Sequence, residues 1–198
     1  PDLEVFTDID IPLEYYQDIL RRQAIVNKGL VFTLKVETPE GFTSQDFLYQ
    51  DGITDYVKEA LGDQGLTGVQ YWETERTGRD REDKKDYRVK LSVAVAFSNR
   101  VKLLEYYHNS SWLEHGGSPD RAVRQAFVSQ LDSYCKQNGK YNKNESKITF
   151  ADVEECLVLV SSSFSTQTSY ENQTKKAINN KFIQEAMTDF LKHQMEVW

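Results

Sequence analysis

Two hydrophobic spacings take turns along the chain. Leu30, Phe32, Leu34 and Val36 fall on every second position, and Val89, Leu91, Val93, Val95 and Phe97 form its longest strict alternation. A period of two puts apolar side chains on one face of a β-strand. Elsewhere the spacing is helical. Leu13, Tyr16, Leu20 and Ala24 make one stripe, and Ile53, Tyr56, Val57, Ala60 and Leu61 a second. Ala122, Val123, Ala126, Phe127, Leu131 and Cys135 make a third, and Phe182, Ile183, Ala186, Met187, Phe190 and Leu191 a fourth. Such stripes mark helices with one buried face.

Terminal signals refine these elements. Asp10 and Pro12 fit the start of the first helix, Asp51 a cap for the second with Gly62 as its stop, and Ser118-Pro119-Asp120 the start of the third. Thr149 or Asp152 opens a short helix ahead of the apolar run CLVLVSSSFS, which reads as a buried strand. Val5 and Phe6 close a short extended piece. TPEGFTSQ reads as a hairpin loop with DFLYQ as the partner strand, and GVQYWET pairs with YRVKLSVAVAF in a second hairpin. Residues 98–117 read as irregular and aromatic. Hairpins in the first half and a strand-helix-strand crossover in the second imply an α+β fold: a sandwich of a mostly antiparallel sheet with helices on one face.

Composition narrows the function classes. A net charge of −7 over 198 residues argues against a surface that is a nucleic-acid footprint throughout, while leaving room for a local basic face. No stretch nears the ~18 apolar residues that a membrane-spanning helix needs. Cys135 and Cys156 lack metal-ligand spacing, so both are expected to be reduced, in a cytoplasmic protein. The chain opens on Pro1 and ends inside a helical pattern, as a piece of a longer protein would.

Candidate chemistry is sparse. His108, His115 and His193 fall in separate elements, without zinc spacing, and no metal site is expected. The glycine pair in EHGG (114–117) precedes a helix and reads as an anion cradle or as a tight turn. The run ERTGRDREDKKD between the second pair of strands is a charged tip of near-zero net charge, either solvated or a candidate DNA contact through Arg76, Arg79, Arg81, Lys84 and Lys85. The stretch SYENQTKKAINNKF (169–182) concentrates lysines, amides and hydroxyls between a buried strand and a buried helix, where mobile cations and amide donors suit a phosphate.

QTK followed by a helix resembles the signature loop in the transducer domain of bacterial type IIA DNA topoisomerase ATPase subunits, the gyrase B and topoisomerase IV B family. PDLEVF, RRQAIVNKGLVFTL, FLYQDGITDYVKEAL, VAVAFSN, GGSPDRAVRQAF, ITFADVEECLVLVS and ENQTKKAINN follow in that family's order, so the resemblance spans the chain. It implies a fold like the second domain of ribosomal protein S5. It assigns a γ-phosphate contact to Gln173 and Lys175, with ATP held mainly by a preceding domain and Mg2+ in the full-length protein. DNA, a second copy of the B subunit and the topoisomerase A subunit are the implied partners, and no membrane is. The division implied is 1–27 as the end of the ATPase domain and a connecting helix, 28–180 as the transducer, and 181–198 as a helix leading toward the next domain. No catalytic residue is expected here, so the chain alone should be inactive. Departures are Asn172 in place of the family's glycine and Ser118-Pro119 in place of its threonine-histidine. Alternatives are the transducer of a MutL-type clamp ATPase, or a non-catalytic S5-like RNA- or protein-binding module.

Overall fold

The computed structural model describes residues 2–8 and 10–198; Pro1 of the PDLEVF segment and Ile9 lie outside it. The α+β architecture expected from the two spacings is present. In chain order the elements are α1 (Leu13–Val26), β1 (Phe32–Thr38), β2 (Gly41–Phe47), α2 (Ile53–Leu61), β3 (Gln70–Gly78), β4 (Tyr87–Phe97), β5 (Leu103–His108), β6 (Ser111–Trp112), α3 (Ser118–Gln137), α4 (Phe150–Glu154), β7 (Leu157–Ser165) and α5 (Lys181–Val197). Strands β1 and β2 pair separately, and the main sheet runs β3-β4-β7-β5-β6. All its pairings are antiparallel except β5 with β7. That parallel pair is closed by the crossover through α3 and α4.

Strand β4 explains the layering. Its odd positions Val89, Leu91, Val93 and Val95 join Leu157 and Leu159 of β7 under α3 and α5 in the larger core. Its even positions Ala94 and Ala96 join Val158 and Val160 beneath α2 and the end of α1. Helices therefore cover both faces, where the alternation suggested one. The two small alanines on β4, opposite Val160 and Val158 in register, let α2 approach the sheet closely. A strand buried on both faces reads as a near-continuous apolar run, and VAVAF is one.

Other expectations shift locally. The first hairpin turns at Pro39-Glu40, so its partner strand begins at Gly41, five residues ahead of DFLYQ. Residues 41–46 are exposed on both faces and, Phe42 aside, carry no large apolar side chain, which left no alternation to read. Asp51 does not cap α2. It pairs with Lys28 at 3.2 Å, and its amide donates to Asp55; Gly52 at φ +58 precedes the helix instead. Asp10 does not cap α1, which starts just after Pro12, and Val5 and Phe6 lie in a turn, with both amides donating to Asp2 O. The irregular aromatic stretch contains β5, which lies between β7 and the short edge strand β6. Of the two starts offered for the short helix α4, Thr149 is the N-cap, and Asp152 completes a capping box with it. Among the described residues no helix is long and apolar enough to cross a membrane.

Candidate functional site

The polar stretch between β7 and α5 forms a loop with a rigid base and a projecting tip. At the base, Ile178 bridges Tyr170 on one side and Gly117 on the other. The amides of His115 and Ser118 donate to the carbonyls of Lys176 (2.9 Å) and Ile178 (2.8 Å), and those of Glu171 and Asn179 to Ala177 (3.0 Å) and Ser169 (2.9 Å). Ala177 and Ile178 are buried. The glycine pair serves this contact: Gly117 has φ +86, and a Cβ there would lie 2.1 Å from the Ile178 carbonyl oxygen. EHGG is thus a tight turn on which the returning limb of the loop docks.

Residues 172–175 project beyond the base and are exposed. The Lys175 amide donates to Asn172 O at 3.3 Å, closing a turn, and Thr174 Oγ1 donates to Asn172 Oδ1 at 2.5 Å. The left-handed residue in this turn is Lys175 itself, at φ +57, whereas Asn172 is not among the positive-φ residues. For a lysine that region costs ~1–2 kcal/mol, so the surroundings hold it there.

The two adjacent lysines have different fates. Lys176 forms an ion pair with Glu114, whose carboxyl is held below its usual range by that contact. The Lys175 ammonium lies 5.6 Å from the centroid of the Tyr170 ring, a cation–π distance, and among the described residues no carboxylate pairs with it. Gln173 is exposed beside it. Arg121 of α3 braces the ascending limb, reaching Glu171 at 3.4 Å, Gln184 of α5 at 2.9 Å and Ser118 at 3.2 Å.

The chain belongs to the DNA gyrase B family. The DNA gyrase B family model matches residues 52–198, about three-quarters of the sequence. The gyrase B protein of Metamycoplasma hominis is 26% identical over 198 residues, covering 99% of this chain and 30% of the relative. The Staphylococcus epidermidis gyrase B protein is 26% identical over 202 residues, covering 98% and 29%. The chain thus spans about three-tenths of the curated relatives it matches. Among solved structures, gyrase B from Myxococcus xanthus superposes with a TM-score of 0.74 at 15% identity, over all of this chain and 53% of that one. The 43K ATPase domain of Thermus thermophilus gyrase B, solved with an aminocoumarin, gives 0.67 at 20%, over 100% and 51%. These two likenesses establish the S5-like α+β fold.

Within the family frame, the predicted positions separate into two groups. Gln173 and Lys175 share the loop tip. The DNA candidates lie on the β3–β4 hairpin, and three of them are engaged there: Arg79 pairs with Asp86 at 2.6 Å, Arg81 with Asp83, and Arg76 donates to Glu75 O at 3.1 Å. Lys84 and Lys85 are exposed at its turn. Four residues that shape the loop escaped the sequence reading: Glu114, Tyr170, Asp80 and Asn180. Only Asn180 carried a signal, an asparagine directly before a helical stripe.

Proposed function

We propose that this chain is the transducer domain of the B subunit of an ATP-dependent type II DNA topoisomerase, and that its loop tip senses the γ-phosphate of ATP through Gln173 and Lys175. The observation that carries the reading is the asymmetry of the lysines: one is neutralised by Glu114, and its neighbour is exposed on a tip whose base is fixed. A free ammonium and a free amide donor suit triphosphate oxygens held by a preceding domain. Gained with ATP and lost after hydrolysis, that contact would bias the angle between two domains and so couple turnover to DNA-strand passage. Mg2+ would accompany the triphosphate. No cluster of three or more His, Cys, Asp or Glu converges among the described residues, so no metal ligand is assigned here.

DNA, a second copy of the B subunit and the topoisomerase A subunit are the partners in this reading, within the cytoplasm. The division at residues 27 and 180 belongs to it as well; the family match itself begins at Gly52. One lysine and one glutamine supply roughly 1.5–3 kcal/mol per charge-assisted bond, against an association cost of ~4 kcal/mol or more. The chain alone should therefore neither hydrolyse ATP nor bind it tightly. Calorimetric titration tests this: weak or undetectable ATP binding is expected, and a micromolar dissociation constant for the isolated chain would contradict a sensor that only completes another domain's site.

A further inference from the structure

The charged tip between β3 and β4 touches the polar loop, and the contact runs through one buried amide. Asn180, the last residue before α5, is 2% exposed. Its Oδ1 accepts the amide of Ser169, at the loop's other end, at 2.7 Å. Its Nδ2 donates to Asp80 Oδ2 at 2.9 Å and to the Tyr87 hydroxyl at 3.0 Å. The Tyr87 hydroxyl in turn donates to Asp80 Oδ1 at 2.9 Å. Asp80 Oδ1 also accepts the Phe182 amide at 2.9 Å, so a carboxylate from a distant hairpin satisfies a first-turn donor of α5 and complements the positive end of its dipole. Asn180 itself makes no side-chain cap to that helix.

Packing reports the same contact independently. The Phe182 ring meets Tyr87 edge-on at 5.3 Å, and a Cβ on Gly78 would fall 2.4 Å from that ring. The hairpin thus clasps the first turn of α5 between Gly78 and Tyr87 while Asp80 and Asn180 tie together both ends of the loop.

We propose that the β3–β4 tip is a clamp that sets the direction of the loop carrying Lys175, with Asp80, Tyr87 and Asn180 as positioning residues. This rests on the γ-phosphate reading for its functional consequence, but the clamp itself is a statement about the loop alone. One of the tip's acidic residues, Asp80, makes the clamp, while Arg81 and Arg79 pair locally with Asp83 and Asp86.

A charge swap tests it. Asn180→Asp sets two carboxylates against each other. Asp80→Asn sets two amides against each other. The double variant restores one donor facing one carboxylate. Amide hydrogen-exchange protection factors of Ser169 and Phe182 should fall at least about tenfold in Asn180→Asp, fall less in Asp80→Asn, and return to within about threefold of the original in the double variant. Unchanged protection in both single variants, or a double variant as unprotected as the worse single one, overturns the clamp. In the intact protein, turnover should follow the same order with ADP affinity unchanged. Full turnover in Asn180→Asp, where Lys175→Ala is impaired, overturns the positioning role. Full turnover in Lys175→Ala removes the γ-phosphate reading instead, and the exchange data then decide the clamp without it.

Discussion

The β3–β4 tip and the loop before α5 are both short, polar and flanked by buried elements, yet they use their polar groups differently. Between Glu75 and Asp86 the tip holds five basic and five acidic side chains. Its arginines are taken up by Asp83, Asp86 and neighbouring backbone, and Asp80 by α5. The loop has its order at the base, where backbone pairing and Gly117 leave little freedom, and leaves Gln173 and Lys175 exposed. Charge alone does not make a polar segment a binding site. What distinguishes the loop is a fixed base under an exposed lysine, Lys175, with which no carboxylate pairs among the described residues.

The sharpest way to break this contrast is to remove the base. Gly117→Ala places a methyl against the Ile178 carbonyl at a backbone angle unfavourable to alanine. The strain of a left-handed residue, ~1–2 kcal/mol, and overpacking of ~1–3 kcal/mol together predict a loss of about 3 kcal/mol in urea unfolding. A loss under about 1 kcal/mol would mean that the base is not rigid.

Acid should loosen the strand that leads into the loop. His108 is fully buried, with Nδ1 2.7 Å from Ser163 Oγ and Nε2 2.8 Å from Thr168 Oγ1. Burial pushes its pKa down from 6.5 to about 4. The unfolded chain therefore takes up a proton below pH 6.5 that the folded chain refuses until about pH 4. Stability is full above pH 6.5 and falls as pH drops through that window, by about 2–3 kcal/mol between pH 7 and 4.5. His108→Gln should flatten that part of the profile; an equally steep profile in the variant would remove His108 as its source.

The smallest effects are expected at the tip's exposed cations. Arg81→Ala should leave the urea-unfolding midpoint unchanged within error, as loss of a fully exposed ion pair does. Reversing Arg76, Arg79, Arg81, Lys84 and Lys85 together should change DNA affinity little in a filter-binding titration. A large loss would promote the hairpin to a DNA contact and erase its contrast with the loop.

How legible each region was follows from where its signal lies. Strand β4 and the helix stripes could be read because burial on a regular face imposes a period. Strand β5 could not, because Leu103–His108 is half-buried or buried at every position and ends on a polar residue held by hydroxyls. Strand β2, exposed almost throughout, lacked a pattern for the opposite reason. At the loop, local sequence and the family resemblance singled out Gln173 and Lys175, which the fold leaves exposed at the tip. The clamp was illegible, since Asp80 is one acid among many until the fold brings it to Asn180, a hundred residues away.

The central claim is that Lys175 and Lys176, equal in charge, are unequal in role, and ATP turnover in the intact protein tests it most directly. Lys175→Ala should lower turnover at least ~10–100-fold, the loss of one charge-assisted bond of ~1.5–3 kcal/mol. ADP affinity should barely move. Lys176→Ala, which only releases Glu114, should stay within about twofold. Equal defects in the two variants, or a larger one at Lys176, would contradict the account.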